Sequence, residues 1–212
     1  MNLEVKWLGR IDYEKALAMQ EEIVRRKTGT DAPDELLLLE HEPVYTIGRT
    51  PDQSSLREAG KLPHPVVQIN RGGQATYHGP GQLVGYPILD LRKHGQDLHR
   101  YLRALEEILI EMLRSYGIAG ERREGLTGVW VGPRKIASIG VGVRHWISMH
   151  GFALNVCGDL APFQEIIPCG IAGVEMTSVE RESGKAVGVE AAARVTAQIF
   201  EEHINSLRQT PA

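Results

Sequence analysis

Apolar residues recur along the chain at two spacings, one suited to helices and one to strands. Leu3 to Leu8 reads as a first strand. Asp12 is placed to cap a helix running to about Lys27, with Gly29 just past its end; Tyr13, Ala16, Leu17, Ile23 and Val24 share one face. Four consecutive leucines between Glu35 and Glu40 read as a strand buried on both faces. His41-Glu42-Pro43 turns the chain into a further strand from Val44 to Arg49. Residues 50–65 are polar and proline-bearing, with a short helix near Ser54 to Glu58. Val66 to Ile69 and Leu83 to Leu89 read as two buried strands separated by a long glycine-rich connector. The clearest helix follows Asp97: Tyr101, Leu105, Ile108, Leu109, Met112, Leu113 and Tyr116 keep helical spacing and Gly117 ends it. Three strand-like runs come next, Thr127 to Val131, Lys135 to Val143 and Trp146 to Val156, with turns at Gly132-Pro133 and Arg144-His145. A last helix fits Val189 to Leu207, with Ala193, Ala197, Phe200, Ile204 and Leu207 on one face.

Hairpin-compatible strands with helices at three separated places predict an α/β or α+β sandwich around a mixed sheet. There is no repeat, no low-complexity tract and no linker, so residues 1–212 read as a single domain. A hydrophobic fraction of 42% argues against disorder, and a net charge of −3 against a protein devoted to nucleic acid. No apolar run is long enough for a membrane span, and the opening residues lack the apolar segment of a signal peptide. Two cysteines, Cys157 and Cys169, do not make a disulfide framework or a structural zinc site, which places the chain in a reducing cytoplasm.

The chemistry concentrates in three stretches. The connector Arg71-Gly72-Gly73-Gln74-Ala75-Thr76-Tyr77-His78-Gly79-Pro80-Gly81-Gln82 is far longer than a hairpin needs. Its glycines let backbone approach a ligand, although Gly-Gly alone is more often an ordinary surface loop. Cys169 sits between Pro168 and Gly170. A lone cysteine is more often a small buried apolar residue than a nucleophile, but regular core positions seldom carry such flanks. Cys157 ends an apolar strand and keeps the structural reading. A free thiol ionises near pH ~8.5, and a neighbouring cation brings that down. Lys135 is the candidate cation. It opens the run Lys135-Ile136-Ala137-Ser138-Ile139-Gly140, where a desolvated amine yields its proton more readily than one at a solvated strand end. Ser138-Ile139-Gly140 and Gly151-Phe152-Ala153 are small-residue stretches that serve either strand packing or a wall beside a straight acyl chain. His78 reads as a site-forming residue with no proton role assigned. No histidine spacing suggests a metal.

Four segments together resemble one enzyme family: EHEPVYTIGR at Glu40–Arg49, RGGQATYHGPGQLVGYPILDL at Arg71–Leu91, GPRKIASIGVGVRHWISMHGFALNV at Gly132–Val156 and IIPCGI at Ile166–Ile171. They are similar to the octanoyltransferases of lipoate biosynthesis. The resemblance implies the catalytic-domain fold of biotin and lipoate protein ligases, a mixed sheet with helices outside and a smaller sheet beside it. It implies a Cys169/Lys135 dyad. It implies acyl binding by Arg71, Gly72, Gly73, Gln74, Ala75, Thr76, Tyr77 and His78, by Ser138, Ile139 and Gly140, and by Gly151, Phe152 and Ala153. The implied donor is octanoyl-acyl carrier protein. The implied acceptors are lipoyl domains of 2-oxoacid dehydrogenases and the glycine cleavage H protein. No cofactor or metal is expected, and no nucleic acid or membrane partner. Carrier proteins and lipoyl domains are acidic as classes, so docking calls for local basic residues; Arg71, Arg122, Arg123, Arg134 and Arg144 are the candidates. Two alternatives stay open at this point. An ATP-dependent lipoate-protein ligase of the same fold needs no nucleophilic cysteine, and a non-catalytic acyl carrier binding protein forms no adduct.

Overall fold

The computed structural model describes the backbone of residues 3–49 and 51–209 and the side chains through Ile204. The described residues form ten strands and four α-helices. The first half holds β1 (Leu3–Ile11), α1 (Tyr13–Lys27), β2 (Asp34–His41), β3 (Val44–Ile47), β4 (Val66–Gln68), β5 (Thr76–His78), β6 (Gln82–Ile88) and α2 (Leu98–Ser115). The second holds β7 (Val129–Val131), β8 (Arg134–Arg144), β9 (Ile147–Asn155), β10 (Glu175–Met176), α3 (Val179–Ser183) and α4 (Val189–Gln209).

The large mixed sheet runs β1-β2-β6-β9-β8, with β1 parallel to β2 and the β2-β6-β9-β8 ladder antiparallel. Ala137 pairs with both Leu154 and Val129, and Lys135 with both Met176 and Trp130. So β7 lines one edge of β8, while β9 and then β10 share the other. The four leucines of β2 show why the middle of this strand is apolar: Leu36 and Leu38 belong to one core with α2 and α4, Leu37 and Leu39 to a second core with α1. Each fully buried leucine contributes about 1.5–3 kcal/mol of transfer free energy. The α1 N-terminus is capped by Asp12, whose Oδ1 accepts from the amides of Glu14 (2.9 Å) and Lys15 (3.2 Å). Asp97 accepts from Arg100 N–H at 3.1 Å and starts α2 in the same way.

A second sheet, β4-β3-β5, packs its own core of Tyr45, Ile47, Ala75, Tyr77 and Phe163. This corrects the reading of the glycine-rich connector. It does not join two buried strands: Val66–Gln68 is a half-exposed strand at the edge of the small sheet, paired only with β3. The connector also contains β5, which pairs antiparallel with β3 before the chain crosses into β6 of the large sheet. Two polar-flanked residues on either side of Tyr77 hide that strand from any pattern of alternation. The short helix α3 was not expected either; five residues capped by Ser178 are too few to show helical spacing. The β8–β9 turn is His145-Trp146, one residue later than read, with φ of +53° and +63° at its two central residues. That is the hand a two-residue hairpin requires. The Leu207 side chain lies outside the described residues.

Candidate active site

The two sheets meet at a cavity of about 190 Å³. Lys135, Ser138, Ile139, Gly140, Gly151, Phe152 and Ala153 line it from β8 and β9, Arg71, Gly73, Gln74, Thr76 and His78 from the connector, and Cys169 closes it. Of the residues singled out from sequence, Gly72, Ala75 and Tyr77 do not line it. Ala75 and Tyr77 sit in the small-sheet core, and Gly72 is exposed, its N–H donating to Val141 O (3.2 Å).

Cys169 is held in a tight turn with φ +56°, uncommon for a residue with a side chain. Its N–H donates to Ala75 O at 2.8 Å, so the cysteine turn is fixed to the connector. Gly170 follows with φ +71°, and a Cβ there would lie 2.8 Å from Gln74 Cγ. Only glycine satisfies both demands. Ser55 clamps the same two segments: its carbonyl accepts from Ile167 N–H (2.7 Å), and its hydroxyl donates to Gln74 Oε1 (2.8 Å) and accepts from Ala75 N–H (3.1 Å). The thiol lies 3.5 Å from Ser138 Oγ. Cys157 is different. Burial pushes its thiol up, and Glu180 and Glu40 add to that, so it is a poor source of thiolate.

Lys135 is 1% exposed. Its Nζ donates to Thr127 O (3.2 Å) and stands 4.6 Å from the centre of the Trp130 ring. Among the described residues it makes no ion pair, so a carbonyl and an aromatic face are its main compensation for lost hydration. Gly128 makes room for it, since a Cβ there would lie 2.9 Å from Lys135 Cε. Lys135 and Cys169 line the same cavity.

The family follows from comparison with known proteins. Residues 12–201 match the model of the lipoyl protein ligase A/B catalytic domain. An octanoyltransferase of Geobacter sulfurreducens is 51% identical over 205 residues, 96% of this chain and 86% of that protein. An octanoyltransferase of Synechococcus elongatus is 54% identical over 177 residues, 81% of this chain and 76% of that one. The chain belongs to the octanoyltransferase family. It is an acyltransferase of octanoyl groups, which sets aside both the ATP-dependent ligase and the non-catalytic binding protein. The expected fold holds too. The bipartite lipoate protein ligase of Thermoplasma acidophilum superposes with a TM-score of 0.75 over 97% of this chain and 84% of that one, at 17% identity.

In this octanoyltransferase the connector's polar residues form a buried network. Arg71, 7% exposed, donates to Thr46 O (3.1 Å), Thr46 Oγ1 (3.0 Å), Gln74 O (3.0 Å) and Gly72 O (2.8 Å). It is therefore no part of a docking surface. Arg122 pairs with Glu106 and Glu107, and Arg134 with Glu182, while among the described residues Arg123 and Arg144 of the five basic candidates stand outside ion pairs. Gln82 Nε2 donates to Tyr77 O and Asn155 Oδ1, which orients its carbonyl toward His78 Nδ1 at 2.7 Å. His78 then carries its proton on Nδ1, and Nε2 accepts from Thr46 Oγ1 (3.2 Å). With both nitrogens engaged, His78 positions the connector and has no free site for the substrate's proton.

Sequence reasoning missed Tyr13, Tyr86 and His150, which line the cavity, and His41 behind them. Tyr86 donates to His41 Nε2 at 2.6 Å, and His41 Nδ1 donates to Ile11 O at 2.9 Å. A tyrosine and a histidine interrupting apolar strands were the available signal. Burial pushes His41 and His150 down to about 4 and His78 to about 3, with neighbouring His41 adding to the shift at His78. Their folded values lie below the unfolded value near ~6.5. The unfolded chain therefore binds protons first as pH falls. Stability is full above ~6.5 and declines by up to about 1.4 kcal/mol per pH unit for each histidine below it. Thermal unfolding between pH 7 and 5, above the ordinary carboxylate range, should show a Tm drop of roughly 10 °C. A Tm that stays level across that window contradicts the buried neutral histidines.

Proposed function

We propose that Cys169 carries the octanoyl group and Lys135 moves the protons. The donor is octanoyl-acyl carrier protein and the acceptor a lysine on lipoyl domains such as those of 2-oxoacid dehydrogenases and the glycine cleavage H protein. Residues 1–212 act as one catalytic domain, in a reducing cytoplasm where a free thiol persists. The observation that supports this best is that a thiol and a buried lysine without an ion-pair partner open into one cavity.

In the first half-reaction the Cys169 thiolate attacks the thioester carbonyl. The new C–S bond forms, the carrier C–S bond breaks, and the Lys135 ammonium protonates the departing thiolate. In the second, the neutral amine of the acceptor lysine attacks the acyl-enzyme. The resulting N–H proton passes to Lys135, now a neutral amine, and Cys169 leaves as thiolate. An amide has formed and the dyad is restored. The donor thioester is already activated, so the scheme needs neither nucleotide nor metal. The acyl chain lies along Ser138-Ile139-Gly140 and Gly151-Phe152-Ala153, beneath Arg71, Gly73, Gln74, Thr76 and His78.

Intact-mass analysis after mixing with octanoyl carrier protein tests the reading. One octanoyl group should appear on Cys169 and disappear when a lipoyl domain is added. Transfer without any adduct, or an adduct mapped to Cys157, overturns it.

A further inference from the structure

Resting on that reading, we infer that His150 is the end stop of the acyl cavity and sets the length of chain the enzyme accepts. Three independent observations converge on it. First, position. Cys169 Sγ lies beside Ser138, which pairs with Ala153, while His150 pairs with Val141 three residues further along the same ladder. Three steps of ~3.4 Å place His150 about 10 Å from the nucleophile's end. An extended eight-carbon acyl chain, with C–C bonds of ~1.5 Å, spans about 9 Å. Its terminal methyl therefore reaches His150 and no further.

Second, what lies behind. His150 and Ile69 line both the acyl cavity and a second cavity of about 620 Å³, whose other walls mix the apolar Leu17, Val24 and Met149 with the charged Glu21, Arg25 and Arg144. His150 thus stands between the acyl cavity and a larger groove with a polar, solvent-facing rim.

Third, how the residue is held. His150 has φ +57° in the middle of β9, a conformation that side-chain-bearing residues seldom adopt in a strand. Its amide donates to Gln20 Oε1 of α1 at 2.8 Å. The ring is 2% exposed, sits edge-on to Tyr86, has no side-chain hydrogen-bond partner among the described residues, and interacts with the Asn70 backbone. The ring nitrogens are polar atoms held at the end of the cavity, with the Asn70 backbone as the hydrogen-bonding group near them. They make a poor surface for a methylene that tries to push past.

The test is a chain-length profile. Octanoyl, decanoyl and dodecanoyl carrier proteins are each mixed with enzyme, and acylation of Cys169 is followed by intact mass in single turnover. Wild type should acylate with dodecanoyl at least about tenfold more slowly than with octanoyl. Comparable rates overturn the inference without any variant. His150→Gly removes the imidazole and suits the positive φ; His150→Asn shortens the side chain and also tolerates that backbone. In both, the dodecanoyl-to-octanoyl rate ratio should rise about tenfold or more, whatever happens to the absolute octanoyl rate. An unchanged ratio in a folded variant overturns the stop. Absence of any octanoyl adduct on wild-type Cys169 instead sinks the proposed mechanism, so the two failures are distinguishable.

Discussion

Replacing Cys169 with serine should lower octanoyl transfer by at least about 10³-fold, some 4 kcal/mol of transition-state stabilisation, with the fold intact. The change is nearly isosteric. Cys169 N–H keeps its bond to Ala75 O, and the turn keeps Pro168 and Gly170. What is lost is sulfur, whose thiolate is a far stronger nucleophile than a neutral hydroxyl. A serine hydroxyl needs an adjacent base, and His78 of the connector has both nitrogens committed to Thr46 and Gln82. Cys157→Ser is the control. That thiol is pushed up by burial and by two glutamates, and most activity should survive its loss. A dead but folded Cys157→Ser beside an active Cys169→Ser reverses the assignment of the nucleophile.

The same residues show how far sequence reaches. Helices α1 and α2 were legible because their apolar spacing, their aspartate caps and their terminal glycines agree with one another. Strand β2 was legible because burial on both faces leaves no polar position to interrupt Leu36 to Leu39. The glycine-rich connector was legible as a site and not as a structure. Its polar residues serve β5, the network around Arg71 and the cavity wall at once, and no periodicity separates those tasks. Cys169 and Lys135 stand 34 positions apart in the chain; the parallel pairing of β10 with β8, the Cys169–Ala75 bond and the Ser55 clamp bring their segments to one cavity. Ser55 was invisible because a serine in a polar stretch carries no signal; its role comes from reaching two segments that are distant in sequence. His150 was hidden for a different reason. A histidine in a strand otherwise made of apolar and small residues reads as packing until its backbone angle and the two cavities on either side are seen.

Lys135 separates the proposed dyad from a structural lysine most sharply. Lys135→Met keeps the apolar stem against Trp130 and removes the charge, the donor to Thr127 O and the proton carrier together. With the neighbouring cation gone, the thiolate is less favoured, so iodoacetamide labelling of Cys169 at neutral pH should slow. Both acyl-transfer steps should fall by about 10²–10⁴-fold, the usual contribution of a positioned acid–base group. Lys135→Arg divides these effects. Arginine keeps a positive charge, so labelling should recover in part. It does not give up a proton near neutrality, so attack by the acceptor amine should stay slow. The expected signature is therefore partial rescue of labelling and of acylation by the carrier thioester, with little rescue of transfer onward to the lipoyl domain. The measurements are the pH profile of labelling in wild type and both variants, and single-turnover rates for each half-reaction. Wild-type labelling and wild-type transfer in Lys135→Met eliminate the dyad. Since His78 is already saturated with hydrogen bonds, Cys169 would then have to draw its activation from the Arg71 guanidinium buried beneath the connector.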